Sequence, residues 1–403
     1  MISSRRKILV TAIVSVIIIM VFAIIHFALL SGDTSKQSIK IGFVYDSDEV
    51  TPYTANFIKA QKAIERQLGS KAVVSVKANI RDSDGGEAEI GQLIAEGCDI
   101  IFTTSYGYGA AAKKLAALNP GIQFCEATCD NADDEPFCEN YHTFMGEIYQ
   151  GRYISGAVAG LKLQEMIDRG EIAADAAKLG YVAAFPNAEV ISGYTAFFLG
   201  ARSVCPTATM DVKYTDTWSN YAIEKRAAKE LIDGGCVIIS QHSDTTGPAV
   251  ACEEVFSEKS VYHVGYNSSM IDVAPTSSLI SSRINWEPYM VAACEAVLDD
   301  KRIEDHVKGH IHGNDIGAGF EHGWIEMLDL NEIIAADGSR ELIDRLIQDF
   351  SDESLEVFKG PYTGVDPADP SRAVDLTDGY TENESSSAPT FCYVLNDVIR
   401  ILE

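Results

Sequence analysis

The sequence begins the same structural unit twice. Residues 39–69 and residues 178–204 each contain a short apolar run, a polar loop and an amphipathic stretch with helical periodicity. An apolar run followed by a helix is the unit from which parallel sheets are built. A chain that starts a parallel sheet twice is predicted to form two α/β lobes. The loops after the strands are then predicted to line a ligand cleft.

Four other segments are predicted from the same kinds of pattern. Residues 123–127 are predicted as a strand, and residues 148–168 as a long helix whose small residues pack it closely on its neighbour. Residues 360–387 are rich in Gly, Pro, Asp and Ser and are predicted as a surface loop. The apolar end, residues 390–403, is expected to dock back on the body.

The size and composition of the chain agree with two folded lobes. The chain has 403 residues, of which 46% are hydrophobic and 23% are charged, so it is expected to fold around sizeable cores. Its formal net charge is −27. This acidity argues against nucleic acid or an anionic membrane surface as a partner, because no large basic stripe offsets it.

The N-terminal region predicts where the chain resides. Residues 8–30 form an uncharged, mostly apolar run that three basic residues precede. About 20 apolar residues span a bilayer, and basic residues before the span keep the N-terminus in the cytoplasm. We therefore predict a cytoplasmic segment at residues 1–7, a transmembrane signal anchor at 8–30 and a tether at 31–38, with the body outside the cytoplasm. A cleaved signal peptide is the alternative, although its apolar core is usually shorter, about 7–15 residues.

Nine cysteines raise the question of disulfide bonds in a chain predicted to lie outside the cytoplasm. Cys125, Cys129 and Cys138 are close together in the sequence. A local bridge could join Cys129 to Cys138, or Cys125 to either of them. Four others lie in apolar or helical contexts and are predicted to be small core residues, namely Cys98, Cys236, Cys252 and Cys294.

The sequence contains no strong catalytic, phosphate-binding or metal-binding motif. The Gly-rich segment 104–109 lacks the spacing of a phosphate-binding loop, and no GxSxG or HExxH signature occurs. His306, His310 and His312 match no strong zinc spacing. We therefore expect no metal, no cofactor and no catalytic residues, and we expect a binding protein in preference to an enzyme.

Candidate ligand-binding residues follow the predicted strands. Aromatic side chains at such positions can sandwich a planar heterocycle, and carboxylate or amide groups there suit ribose hydroxyls or base edges. The alternatives are rim packing for the aromatics, turn or capping roles for the polar residues, and a structural pair with Asp244 for His242. The candidates are Tyr53, Thr54, Tyr106, Phe185, Glu189, Trp218, His242, Asp244, Asn267 and Trp286.

Seven motifs follow one another along residues 102–270. They are FTTSYGY (102–108), QGRYxxGxxAG (150–160), GYV (180–182), FPxxEVIxG (185–193), LGARSV (199–204), QHxD (241–244) and GYNSxM (265–270). Their order and spacing resemble those of the Bmp family, and the resemblance covers about residues 39–300. This is the "basic membrane protein" family, the substrate-binding proteins of bacterial ABC importers, which are related to purine-nucleoside-binding lipoproteins.

The resemblance implies a two-lobed type I periplasmic-binding-protein fold, in which each lobe is a parallel sheet flanked by helices. It implies that lobe 1 comprises residues 39–147 and 269–315, and that lobe 2 comprises residues 148–268 and 316–403. It further implies a monomer that holds a purine nucleoside or nucleobase between the lobes and delivers it to an ABC permease. The alternatives are a sensor for another small molecule and a nucleoside- or sugar-processing enzyme.

The resemblance also implies roles for individual residues. Tyr53 occupies the position of the family aromatic that stacks on the base, and Trp218 that of a second aromatic from the other lobe. The groups that bond the base and the ribose map near Thr128, Asp244 and Asn267. The sequence departs from the family at two of these positions, because the family often has Asp where Thr128 and Asn267 stand. The lipid-bearing cysteine of the family is also missing, and the predicted anchor would replace the lipid.

Overall fold

The computed structural model describes Met20 and residues 35–402. The predicted cytoplasmic segment at 1–7 and, apart from Met20, the predicted anchor at 8–30 lie outside these described residues. No helix among the described residues is long and apolar enough to cross a membrane. The same residues form two seven-stranded sheets and a small two-stranded sheet.

The strands are mostly short apolar runs. Helices cover both faces of a parallel sheet, so its strands are usually continuous apolar runs. The runs 100–103 and 141–146 are wholly buried and fit that environment. The strands are β1 (Ile39–Val44), β2 (Ala72–Lys77), β3 (Ile100–Thr103), β4 (Gln123–Ala127), β5 (Tyr141–Gly146), β6 (Lys178–Ala183), β7 (Thr209–Tyr214), β8 (Ile238–His242), β9 (Tyr262–Tyr266), β10 (Ser278–Ile284), β11 (His310–His312), β12 (Asp315–Ala318), β13 (Ile325–Met327), β14 (Thr363–Val365), β15 (Ala373–Asp375) and β16 (Ile399–Leu402).

Local signals set the starts of several helices that connect the strands. Asn187 and Asn220 each accept a hydrogen bond from the backbone N–H three residues later, which caps two of the helices. Proline opens the first helix at Pro52, where no N–H is needed. In residues 35–402 the helices are α1 (Pro52–Leu68), α2 (Glu87–Ala95), α3 (Gly109–Leu118), α4 (Ile148–Asp168), α5 (Ala188–Val204), α6 (Tyr221–Asp233), α7 (Gly247–Val255), α8 (Glu287–Leu298) and α9 (Ser339–Ser351).

The two large sheets have the same strand order at their centres. Sheet 1 runs β11-β12-β5-β4-β3-β1-β2, and sheet 2 runs β13-β10-β9-β8-β6-β7-β16. In each sheet five parallel strands follow the order 2-1-3-4-5 of one doubly wound fold class. Ligands bind such sheets outside the carboxyl ends of the strands, where the strand order reverses. Each sheet together with its packed helices is called a lobe below, lobe 1 or lobe 2.

The chain passes between the sheets three times within residues 35–402. It leaves sheet 1 between β5 and α4, returns between β10 and α8, and leaves again between β12 and β13. Helix α4 packs on α5 in lobe 2, and α8 packs on α1 in lobe 1. Both lobes are therefore discontinuous in the sequence, and three short connections join them.

Glycines bring α4 and α5 into close contact. A Cβ atom on Gly156 would lie 1.8 Å from the carbonyl oxygen of Phe197, and one on Gly200 would lie 2.0 Å from the carbonyl oxygen of Tyr153. Only glycine permits so close a backbone approach. The prediction that residues 148–168 form a helix packed closely on its neighbour is confirmed.

The lobe boundaries differ from the prediction at two strands. The sequence places residues 269–315 in lobe 1, but β10 pairs with β9 in sheet 2. The return crossing comes after Ile284, because β10 completes the parallel order of sheet 2 before the chain leaves. Strand β12 pairs with β5 in sheet 1, although residues from 316 onward are predicted in lobe 2.

The C-terminal segment is more ordered than its composition predicts. Residues 360–387 are predicted as a surface loop, but they contain the hairpin strands β14 and β15. Phe358 and Phe391 stack with ring centroids 4.4 Å apart inside the core of lobe 2. Strand β16 then pairs in parallel with β7 at the edge of sheet 2, so the predicted docking of the C-terminal end on the body is confirmed.

The cysteines form no disulfide bond. All nine lie in residues 35–402 as free thiols, and eight of them are buried. The local bridge considered for Cys125, Cys129 and Cys138 is therefore absent. The Cys129 thiol instead donates to the carbonyl of Tyr106 at 3.4 Å, and burial raises the pKa of the Cys125 thiol.

Candidate ligand-binding site

A cavity of about 510 Å³ lies where the carboxyl ends of both sheets meet. Its volume falls in the range of about 300–1,000 Å³ that is typical of small-molecule sites. Loops after eight strands contribute to it, four from each lobe, together with the start of α1. The lining residues are Asp46, Tyr53, Arg81, Asp82, Ser83, Ser105, Tyr106, Thr128, Phe185, Glu189, Asp216, Thr217, Trp218, Ser219, Asp244, Tyr266 and Asn267.

Tyr53 forms the aromatic wall of lobe 1. It lies in the first turn of α1, where its hydroxyl donates to the carbonyl of Thr104 at 2.7 Å and its ring meets Phe57 edge-on at 5.2 Å. Burial raises the pKa of the Tyr53 hydroxyl, and the carboxylate of Glu189 is the next cause. Because Glu189 belongs to lobe 2, this effect indicates that the two walls lie close together.

Trp218 and Phe185 form the aromatic wall of lobe 2. Their ring centroids are 5.6 Å apart at an angle of 62°, so the edge of one ring meets the face of the other. The backbone N–H of Asp244 donates to the carbonyl of Trp218 at 2.8 Å, which ties the loop after β7 to the loop after β8. Both rings are half-buried, and part of each faces the cavity.

A chain of hydrogen bonds joins the lobes at the base of the cavity. The Asn267 amide donates to a carboxylate oxygen of Asp244 at 3.0 Å. The amide of Asn56, on α1 of lobe 1, donates to the backbone carbonyl of Asn267 at 2.9 Å. Arg283 in turn donates to the side-chain oxygen of Asn56 at 3.0 Å. These bonds fix the orientation of both Asp244 and Asn267.

Three lining residues have left-handed backbone conformations. The φ angles are +68° at Thr128, +56° at Asp216 and +65° at Asn267, and each residue follows a strand of the parallel order. Non-glycine residues in this region are uncommon, and such conformations cluster at functional sites. At these positions the backbone turns sharply as the chain leaves the strand and reaches the cavity.

The cavity is strongly acidic. Its lining contains five carboxylates and one guanidinium, that of Arg81. Burial raises the pKa of Asp46, against the opposing hydrogen bond from Thr54, and burial with the nearby Asp46 carboxylate raises the pKa of Asp244. An acidic site favours hydrogen-bond donors and cations and disfavours anions. The carboxylates are Asp46, Asp82, Glu189, Asp216 and Asp244.

The structure brings most of the predicted residues together. Eight of the eleven candidates line the cavity, and their ligand-binding roles stay predictions. They come from separate strand–helix units and meet because parallel strands end at one edge of each sheet. They are Tyr53, Tyr106, Thr128, Phe185, Glu189, Trp218, Asp244 and Asn267.

Three candidates do not line the cavity. Trp286 is 1% exposed and stacks on Phe57 in the core of lobe 1, because the chain has already returned to that lobe. Thr54 is buried and donates to a carboxylate oxygen of Asp46 at 2.9 Å, so it orients a lining residue from behind. His242 is fully buried with its ring 4.7 Å from Tyr266, and its Nε2 lies 3.4 Å from the Glu189 carboxylate.

The sequence reasoning missed nine lining residues. Asp46 lies two residues after the end of β1, and a polar residue just after a strand is the same signal that identified the other candidates. The residues after β2 carried no such signal. They belong to an acidic, Gly-rich loop in which no single position stands out as a candidate ligand-binding residue. The missed residues are Asp46, Arg81, Asp82, Ser83, Ser105, Asp216, Thr217, Ser219 and Tyr266.

The histidine cluster of the sequence does not assemble into a metal site. His310 lies 2.6 Å from the Glu147 carboxylate, a pairing that raises its pKa to about 9, and His306 lies 3.4 Å from Glu295. Among the described residues no group of three or more His, Cys, Asp or Glu side chains could hold a metal ion.

Comparison with known proteins identifies the family. Residues 40–354 match the Bmp family, described as PnrA-like ABC transporter substrate-binding proteins. The chain belongs to this family. It is 28% identical over 368 residues to the purine-binding protein of Brucella abortus, and the alignment covers 90% of this chain and 95% of that one.

Two further comparisons bear on fold and ligand class. A solved ABC transporter solute-binding protein from Conexibacter woesei superposes with a TM-score of 0.60 at 16% identity, covering 79% of this chain and 98% of that one. With the two parallel sheets, it confirms the predicted two-lobed periplasmic-binding-protein fold. A candidate ABC transporter glucose-binding protein of Haloferax volcanii is 32% identical over 199 residues, which is 49% of this chain and 46% of that one.

Proposed function

We propose that this member of the Bmp family binds a purine nucleoside or nucleobase between its lobes and delivers it to an ABC permease. The observation that carries the proposal is the pair of aromatic walls, Tyr53 from lobe 1 and Trp218 with Phe185 from lobe 2, on one cavity. A planar base fits between two such walls, and stacking of a base on an aromatic contributes about 1–3 kcal/mol. The name of the Brucella relative supports the same ligand class.

The polar lining supports a ligand that is rich in hydrogen-bond donors. Asp244, Asn267 and Thr128 lie at strand ends with fixed orientations, and carboxylate oxygens there can accept bonds from amino groups or ribose hydroxyls. A phosphate group would meet five carboxylates with only Arg81 to balance them. The proposed ligand is therefore an unphosphorylated base or nucleoside.

Closure of the lobes on the ligand would follow from their connections. Three short crossings join two bodies that have separate cores, which is the arrangement of hinge-closing proteins. We infer that ligand contacts from both walls stabilise the closed form, which the permease then recognises. The protein acts by binding and release and catalyses no reaction in this proposal.

The anchor belongs to the same proposal. We infer that residues 8–30 hold the protein in the membrane while the body lies outside the cytoplasm. Membrane preparations washed with alkaline carbonate should retain the full chain. Recovery of the chain in the wash would show that no segment spans the bilayer.

A thermal-shift screen of the purified full-length chain in mild detergent tests the ligand class. A ligand that binds only the folded state stabilises it by about 2.7 kcal/mol at a concentration 100 times its Kd. We expect purine bases or nucleosides to raise the melting temperature and nucleoside monophosphates to have a much smaller effect. A sugar such as glucose is included because of the Haloferax relative. A shift with the sugar and with no purine would refute the proposal.

A further inference from the structure

Arg152 is a buried cation at the centre of lobe 2. It lies on α4, in the second turn after the first crossing, and it is fully buried. Its guanidinium donates to the Tyr181 hydroxyl at 2.5 Å, to the Ser240 hydroxyl at 2.9 Å and to the Gln241 carbonyl at 3.0 Å. A fourth bond of 3.3 Å reaches the carbonyl of Gly265. One side chain thus joins three adjacent strands, β6, β8 and β9, near their carboxyl ends.

Aromatic rings surround the same guanidinium. Its central carbon lies 5.2 Å from the ring centroid of Tyr181, 5.7 Å from that of Phe197 and 5.2 Å from that of Tyr266. A cation over an aromatic face attracts it, most strongly where water is excluded. Tyr266 lines the cavity, so Arg152 contacts a ring that belongs to the proposed ligand site.

The charge of Arg152 acts on two buried histidines of lobe 2. Within residues 35–402 no carboxylate lies within 4.0 Å of its guanidinium, so no direct ion pair offsets the charge. Burial lowers the pKa of His263 to about 3, and Arg152 is the second cause. Burial also lowers the pKa of His242, with Arg152 acting in the same direction and Glu189 opposing it. Both rings are therefore neutral at neutral pH.

We propose that Arg152 is a positioning residue for the ligand cavity. It holds the Tyr266 ring and the carboxyl ends of three strands in place from behind, and its charge adds to the burial that keeps the His242 ring uncharged next to Glu189. The ligand then meets a Tyr266 ring of fixed position and a Glu189 carboxylate that has no protonated histidine as a partner. The part of this inference that concerns affinity rests on the proposed function, whereas the part that concerns the histidines does not.

Two substitutions separate the charge of Arg152 from its geometry. Arg152→Lys keeps a positive charge but loses the planar fork that reaches three strands, and Arg152→Met removes the charge while keeping a long side chain. Arg169→Met is the matched control, since Arg169 at the end of the same helix is a surface residue paired with Glu165 at 2.6 Å. All are compared as full-length protein by melting temperature, by histidine Hε1 NMR titration and by calorimetry with the purine that gives the largest thermal shift.

We expect His263 to show no titration above pH 5 in the wild type and in Arg152→Lys, and we expect His242 to titrate below the ordinary histidine pKa of about 6.5 in both. In Arg152→Met at least one of the two should titrate at higher pH. Affinity should fall about tenfold or more in both Arg152 variants, since each loses bonds to the three strands, and only Arg152→Met should add a new pH dependence near the histidine midpoint. Arg169→Met should behave like the wild type.

Unchanged histidine titration in Arg152→Met would overturn the electrostatic role, and unchanged affinity in both variants would overturn the positioning role. If Arg152→Met does not fold, Arg152→Lys carries the affinity test, and the Hε1 titration of Arg152→Gln, a neutral variant that can still donate hydrogen bonds, carries the charge test. At least one of the two histidines should titrate at higher pH in that variant, because the Arg152 charge is gone. If no purine binds the wild type, the proposed function fails while the histidine titrations still decide the charge effect.

Discussion

Substitution of Trp218 by Ala should weaken purine binding without unfolding the protein. The Trp218 ring packs edge-on against Phe185, and its nearest other ring is that of His242 at 6.4 Å, so a ring face is left for the cavity. Stacking of a base on an aromatic contributes about 1–3 kcal/mol, so the Kd should rise about 5- to 150-fold. The ring is half-buried in a loop, and its loss removes no element of the sheet.

The effect of Trp218→Ala on the stabilisation by bound ligand, and so on the melting temperature, can be calculated. At a ligand concentration 100 times the wild-type Kd, stabilisation is about 2.7 kcal/mol, and it falls to about 1.4 kcal/mol if the Kd rises tenfold. A hundredfold rise leaves about 0.4 kcal/mol. The melting temperature without ligand should stay close to that of the wild type. Trp218→Phe, which keeps a ring, should retain part of the affinity.

Tryptophan fluorescence offers a direct assay. The chain contains three tryptophans, of which Trp286 and Trp324 are each 1% exposed. Quenching by a stacked purine should therefore come from Trp218 and should persist in Trp286→Phe. Tyr221→Ala is the matched control, because Tyr221 is 44% exposed in the same lobe and does not line the cavity. A Trp218→Ala protein that binds purine within twofold of the wild type would refute the stacking argument.

Three further predictions concern stability. Burial and nearby carboxylates raise the pKa of Asp244 in the folded protein. The contribution of the Asp244 side chain to folding stability is therefore fully present below its unfolded pKa of about 4, and it is lost as the pH rises through the folded pKa. Asp244→Asn should therefore raise the melting temperature at pH 8 but not at pH 4, and an equal effect at both values would contradict this reasoning. Trp286→Ala should cost about 3–5 kcal/mol in guanidinium unfolding, because it leaves a cavity against Phe57. Gly156→Ala should lower the free energy of unfolding by more than about 3 kcal/mol, because the added Cβ would overlap the Phe197 carbonyl and push α4 away from α5. A variant as stable as the wild type would mean that the two helices move apart easily.

Much of the two-sheet core could be predicted from the sequence, because its strands are short apolar runs bounded by turn residues. The predicted strand at residues 123–127 and the predicted helix at 148–168 agree with β4 and α4 at both ends. The lobe boundary was harder to predict, since nothing local distinguishes β10, which stays in sheet 2, from a strand that crosses to sheet 1. Strand β16 pairs with β7 from nearly 190 residues away, and a local pattern carries no information on such pairing.

The candidate site could be predicted where its residues stand just after the ends of strands. That rule placed Tyr53 and Trp218 on the same cavity, although their expected closure against each other stays a prediction. It failed at Trp286, because a residue just after a strand can turn inward when the chain crosses to a new core. It also could not reveal Arg152, which lies in the second turn of α4 and contacts the lining residue Tyr266 from within lobe 2.

The threefold crossing has a consequence for the order of folding. Sheet 1 takes strands from residues 39–146 and again from 310–318, so it cannot be complete until strands β6 to β10 of sheet 2 have been synthesised. Contacts between such distant segments slow folding and leave strand edges open in the meantime. Neither lobe corresponds to a continuous segment that could be produced alone. Fragments cut between the lobes should aggregate, and a chaperone that delays folding until the chain is complete would protect β5 until β12 reaches it.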